Sequence, residues 1–412
     1  MEVPSSWEGC CFLRNDYYLQ PCTITLLSKS STLHEPGKNI KYYILPIKYF
    51  YSCSRNPDIC TMNKILVTGG CGYIGAHTLI DLVENGFDVI SADNNARSKE
   101  SILTGVEKIT GKKIKNYKVD LCNYDDTCAI FQENPDIAGI IHFAAYKAVG
   151  ESVEKPLLYF ENNLNSLINI LKCAEEFKVA HFVFSSSCTV YGNPDEAMVT
   201  EGTPQKAAAS PYGATKQMGE QIVKETVDSN GSNAVLLRYF NPVGAHPSAL
   251  IGELPIGRPA NLVPAITQTA IGKLPAMQVH GTDYPTKDGS CVRDYIHVCD
   301  IAHAHTLALN FLMDGRNDSN CEVFNLGTGT GYTVLEVIAA FEKASGQKLD
   351  YKTGPRRPGD VVAIYANNEK AKQALGWLPG FTLHDMIASA WKWEQQLAED
   401  EKMFSGKKAG LN

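Results

Sequence analysis

The chain has 412 residues, of which 44% are apolar and 20% charged, with a formal net charge of −7. That is a globular composition with room for about two domains. The acidic balance excludes a surface built to track nucleic-acid phosphates, and the lack of any apolar run of about 18 residues gives no reason to expect a membrane partner.

Residues 1–61 come before the first clear element. They are mixed and aromatic, without the order of a secretory signal, and Met62 would itself serve as an initiator. They are read as an N-terminal extension, with disorder its expected state, that takes no part in catalysis. Five of the 13 cysteines fall in this stretch, and the other eight are scattered singly without CxxC spacing. Scattered thiols of this kind fit a cytoplasmic protein and give no metal site or disulfide frame.

Lys64–Thr68 is a short β-branched apolar run, the pattern of a strand buried on both faces of a parallel sheet. A helix is predicted from Tyr73 to Asn85, with Gly86 as its stop, and a second strand over Asp88–Asp93. Further strands are predicted at Asn116–Leu121, Gly139–Ala144, His181–Ser185 and Ala234–Tyr239, with helices at Asn165–Phe177 and Tyr212–Asp228. This alternation predicts an α/β fold, a doubly wound parallel (Rossmann) sheet over 62–241 with a later strand near 323–326. Glycine and proline become frequent after 241, so 242–399 is read as a smaller C-terminal α/β substrate lobe and 400–412 as a frayed tail.

Gly70-x-Gly72-x-x-Gly75 follows the first strand and opens the first helix, which is the context a dinucleotide fingerprint requires. Glycine lets backbone N–H groups approach a pyrophosphate, and the helix N-terminus adds partial positive charge. Gly69 extends the motif. Asp93 stands at the end of the second strand, where its carboxylate can accept from ribose hydroxyls and repel a 2'-phosphate, so NAD is the expected cofactor. Arg97 nearby is the one opposing signal.

Tyr212 and Lys216 are one helical turn apart, behind Ser210 and Pro211, which suit a helix start. An ammonium and a helix N-terminus together are expected to lower a phenol pKa normally near about 10 and make a base for a sugar hydroxyl. Ser185-Ser186-Ser187 ends its strand at the carboxyl edge, where open α/β sheets bind ligands. His142 and His297 are read as core histidines.

Val67 to Gly75, His142 to Ser152, Phe184 to Gly192, Ser210 to Lys216, Leu237 to Ala245 and Val292 to Val298 together resemble the UDP-glucose 4-epimerases of the extended short-chain dehydrogenase/reductase superfamily. The resemblance covers about residues 63–395. It implies reversible interconversion of UDP-galactose and UDP-glucose through a 4-keto intermediate with bound NAD, by a homodimer joined near residues 159–177 and 212–228. By the same resemblance Tyr212 is the base, Lys216 holds nicotinamide ribose and Ser187 the sugar 4'-oxygen. Gly69, Gly72, Tyr73, Ile74, Gly75, Asp93, Asn94, Asp120, Leu121, Phe143, Lys147, Asn162 and Tyr239 match cofactor positions. Asn241, Asn261, Leu262, His280, Arg293, Arg357 and Asp360 match positions around UDP, and Ile364 matches a gate for N-acetylated sugars. Departures from the family pattern fall at Ala145-Tyr146, Cys188, Ala260 and His280.

Epimerases of UDP-N-acetylhexosamines, UDP-pentoses or UDP-glucuronate are the sibling alternatives. A 4,6-dehydratase would need Thr-Asp-Glu where this chain has Cys188-Thr189-Val190, and a silent NAD-binding regulator would have lost Tyr212 or Lys216.

Overall fold

The computed structural model describes residues 63–357 and 359–409, with side chains to Lys402; the expectations for 1–61 and for the end of the tail lie outside these residues. Seven strands build the central sheet: β1 (Lys64–Thr68), β2 (Asp88–Ala92), β3 (Lys115–Tyr117), β4 (Ile137–His142), β5 (His181–Ser187), β6 (Asn233–Tyr239) and β7 (Cys321–Leu326). All are parallel, in the order β7-β6-β5-β4-β1-β2-β3. The chain therefore winds outward from β1 and returns on its other side at β4, leaving a crevice at the carboxyl ends of these two strands.

Alternation along β1 shows why the run is apolar throughout. Ile65 and Val67 enter one core cluster, with helix α1 (Tyr73–Glu84) and the helix Val298–Met313, while Leu66 enters the opposite one. All three side chains have 0% exposure. The second cluster also receives Leu167, Ile170 and Leu171 of α2 (Pro156–Glu176) and Val223 and Val227 of α3 (Pro211–Asn230).

Several element ends shift by one or two residues, as where the strand expected at Gly139–Ala144 spans Ile137–His142, and three limits differ more. β3 stops at Tyr117, not Leu121, because it is an edge strand: Tyr117 O accepts from Asp93 N and Val119 N, and Asp120 then turns the chain. α2 begins at Pro156, nine residues before the predicted start, with proline in its first turn. The expected frayed stretch beyond Glu399 instead continues the helix Leu383–Ala409.

The strand Val292–His297 organises the remaining chain. It runs parallel to Asn241–Val243 and Ala363–Ala366 and antiparallel to Gly331–Thr333. A separate pair, Met277–His280 with Tyr351–Gly354, completes the strands there. Val263, Ile266, Val337, Phe341 and Trp391 pack beneath them.

Four histidines lie within these cores. Burial pushes His77 and His142 down to about 3, and His297 and His305 down to about 4. His142 bonds Thr68, and His297 stacks on Phe381, so both are structural as read. The unfolded chain takes up protons near pH 6.5 that the folded chain refuses until pH 4 or below. Stability is therefore full above about pH 6.5 and falls as pH drops, by about 1.4 kcal/mol per pH unit for each histidine. Thermal unfolding followed from pH 7 to 5 should show a steep fall in midpoint; a flat profile would contradict this.

Candidate active site

The glycine loop sits at the carboxyl end of β1. Gly69 has φ +70°, and a Cβ there would meet Ala144 N at 2.9 Å. At Gly75 a Cβ would lie 2.2 Å from Gly69 O, so the turn closes only without a side chain. Gly72 caps α1 with no side-chain hydrogen bond, leaving the first helical N–H groups for an anion. Asp93 Oδ2 accepts from Cys71 N at 3.1 Å, which fixes the carboxylate beside this loop. Arg97, the opposing signal, is engaged elsewhere: its Nη2 lies 2.8 Å from Glu151 Oε1 and its guanidinium 4.9 Å from the Tyr146 ring centre. A loop that is glycine where the chain closes tightest, an open helix end and a held carboxylate fit a dinucleotide with a free ribose.

The other residues expected at the cofactor, and two expected at the substrate, have the following surroundings. Tyr73 donates to Gly244 O at 2.5 Å, and Asn94 Oδ1 caps its own loop at Ala96 N. Ile74 packs against the core. Asp120 turns the chain at Cys122, and Leu121 is buried with its carbonyl held by Asn169. Phe143 lies 4.5 Å from His305, ring centre to ring centre, and Tyr239 5.9 Å from the same ring. Asn162 donates to Asn163, which in turn binds the Tyr146 backbone and Thr215. Lys147 pairs with Glu253 at 3.2 Å, and Asn261 donates to that same carboxylate at 2.6 Å. Leu262 follows as the first residue of the helix Leu262–Ala270.

β5 delivers the serines and α3 the tyrosine and lysine. Ser210 caps α3 by accepting from Gly213 N, and Pro211 occupies the first turn, as their types dictate. The Tyr212 phenol lies close enough to Ser187 for that side chain to favour its anion. Lys216 Nζ donates to Ser185 O at 2.5 Å and lies 5.9 Å from the Tyr212 ring centre. Ser185 and Tyr239 share a hydroxyl–hydroxyl bond.

The electrostatics correct one expectation. Burial pushes the Tyr212 phenol up, not down, with the Ser187 side chain only partly opposing it. The Lys216 ammonium is buried as well, which lowers it to about 8 against the pull of Glu220, and its Nζ is turned to Ser185 O. A second positive charge beside the phenol is needed to make it a base.

Arg293, Asp360 and Arg357 form a second cluster. Asp360 Oδ1 lies 3.3 Å from Arg293 and 2.9 Å from Arg357, so two guanidiniums share one carboxylate and leave an excess positive charge. Arg293 also draws the Cys188 thiol down against its burial, so the charge of the cluster is felt at the residue following Ser187. Asn241 pairs with Tyr295 in the neighbouring strand. His280 ends its strand half-buried. Ile364, matched to a gate, is only 3% exposed and packs with Val190, Tyr191 and Phe240.

Residues 66–390 match the family model described as GDP-mannose 4,6 dehydratase. The UDP-glucose 4-epimerase of Bacillus subtilis is 48% identical over 332 residues, covering 80% of this chain and 96% of that one. Its counterpart in Schizosaccharomyces pombe is 46% identical over 336 residues, covering 81% and 94%. The solved UDP-glucose 4-epimerase from Bifidobacterium longum, in complex with NAD+ and UDP, superposes with a TM-score of 0.78 at 47% identity, covering 81% of this chain and 98% of that one.

Sheet order, glycine loop and Ser/Tyr/Lys set define an extended short-chain dehydrogenase/reductase. Identity of this extent narrows the class. The chain belongs to the UDP-glucose 4-epimerase family, which are NAD-dependent isomerases.

Proposed function

We propose that this chain interconverts UDP-galactose and UDP-glucose, with Tyr212 as the base and with Ser187 and Lys216 completing the catalytic set. The observation that carries the assignment is Lys216 bonded to Ser185 O, which sets the turn bearing Tyr212 and Lys216 against the strand that ends in Ser187, together with the two guanidiniums of Arg293 and Arg357 that share Asp360. Arg293 and Arg357 grip the diphosphate, whose oxygens match the guanidinium fork. Asn241, Asn261 and Leu262 border the UDP, and the hexose reaches Ser187, whose hydroxyl holds the 4'-oxygen. Tyr212 then removes the 4'-hydroxyl proton through its phenol oxygen and returns it when the 4-keto sugar has presented its other face. Bound NAD supplies the acceptor and later donor for the C4 hydrogen, together with the positive ring that lowers the phenol. Lys216 orients the ribose below it. A grip on UDP rather than on the sugar is what lets the hexose turn.

The family alternatives differ in sugar, not in this machinery. Purified protein incubated with UDP-galactose and no added NAD should generate UDP-glucose, followed by proton NMR. Conversion of UDP-N-acetylgalactosamine or UDP-xylose without conversion of UDP-galactose would shift the assignment to a sibling enzyme; no conversion of any would overturn it.

The partner proposed is a second copy of the chain. Val153, Leu157 and Met218 are 47%, 79% and 47% exposed on the helix Val149–Glu154, α2 and α3, an apolar face of helices that pack on one another. Sedimentation velocity at the dimer mass supports it, and a monomer refutes it. A cytoplasmic setting suits the eight described cysteines, all free thiols. No described helix is long and apolar enough to cross a membrane.

A further inference from the structure

β1 lies between β2 and β4, and its carboxyl end carries the glycine loop. The segments leaving the two flanking strands meet each other. Arg97, in the loop after β2, places its Nη2 2.8 and 3.0 Å from the two oxygens of Glu151, beyond β4. The same guanidinium lies over the ring of Tyr146, 4.9 Å from its centre. Glu151 is itself oriented by the Tyr159 hydroxyl at 3.0 Å, with Lys155 a further 3.5 Å neighbour. The base of the Arg97 loop is tied as firmly: Asp93 accepts from Cys71 N, Asn95 N and Ser98 Oγ.

We propose that Arg97, Tyr146 and Glu151 form a clasp that closes the cofactor groove on its solvent side and retains the bound dinucleotide. The proposal rests on the NAD reading above. The loop is anchored at its base to the glycine turn and at its tip to the segment after β4, so a dinucleotide seated on that turn between Asp93 and Phe143 leaves only when the bridge opens. Arg97 is 51% exposed on its side chain, too open for the ion pair to contribute much to folding. Its consequence is positional. Nη2 shared between the two carboxylate oxygens and the aromatic platform together hold the guanidinium in one place, and both contacts must break for the segments to part. Arg97, Tyr146 and Glu151 thus act as positioning residues for the cofactor and touch no reacting atom.

The test uses holoenzyme loaded with radiolabelled NAD and chased with unlabelled NAD. Release from Arg97→Ala should be about tenfold faster than from the parent, given an exposed ion pair plus one cation–π contact. Tyr146→Leu, which keeps the ion pair, should fall between them. Raising salt to about 1 M should speed release from the parent and leave Arg97→Ala unchanged, because only the parent has a pair to screen. Equal release rates in parent and Arg97→Ala, with NAD bound in both, overturn the clasp while sparing the NAD assignment. A parent that binds no NAD overturns both.

Discussion

Tyr212→Phe is expected to cut turnover by about 10²–10⁴-fold while bound NAD is retained, the usual contribution of a positioned acid or base. Phenylalanine keeps the ring that packs near Lys216 and removes only the phenol oxygen, whose anion Ser187 favours. The glycine loop and Asp93, which form the proposed cofactor site, do not have that oxygen among their described contacts. Ser187 is a poor substitute, since its hydroxyl already accepts from Thr189 N at 3.3 Å and has no carboxylate or imidazole beside it among its described contacts. Steady-state rates with UDP-galactose, together with the NAD content of the purified variant, separate loss of chemistry from loss of cofactor. Turnover within about threefold of the parent would remove Tyr212 as the base.

Arg238→Met should destabilise the fold by about 3–5 kcal/mol, because it strands a buried carboxylate. Arg238 meets Glu220 through Nε at 2.8 Å and Nη2 at 2.6 Å, and both side chains are 6% exposed. Glu220 also accepts from Ser186 Oγ at 2.5 Å and Gln205 at 2.8 Å, and Arg238 donates to Tyr191, which donates to Asn325. The network thus ties α3, β5, β6 and β7 together just beneath Ser187. Replacing both partners by apolar residues should recover much of the loss, since no charge is then left unpaired. Urea unfolding of the two single variants and the double variant measures the coupling; single-variant losses below about 1 kcal/mol would show the pair to be marginal.

The strands of the central sheet were legible because burial on both faces demands uninterrupted β-branched apolar runs, as in Ile65-Leu66-Val67. Gly69 to Gly75 was legible for a different reason: the turn excludes Cβ atoms, so sequence and geometry carry the same information. What escaped depended on distant partners. Nothing near Glu220 announces Arg238, and nothing near Asn163 or Glu253 announces that they brace Tyr146 and Lys147. A Glu in a helix followed by an Arg in the adjoining buried strand was the only available sign of the first pair. The direction of the Tyr212 shift was misjudged because one-turn spacing encodes proximity to Lys216 but not the burial that outweighs it. Ile364 was matched to a pocket position by resemblance, while its packing with Tyr191 and Phe240 appears only in three dimensions.

The most direct measurement starts from UDP-galactose carrying deuterium at C4 of the sugar. Mass spectrometry of the UDP-glucose formed should find the label fully retained at that carbon, because the hydrogen leaves and returns within one closed site. Label lost to water, or passed to free NAD in solution, would contradict an epimerisation carried out on a held cofactor opposite Tyr212.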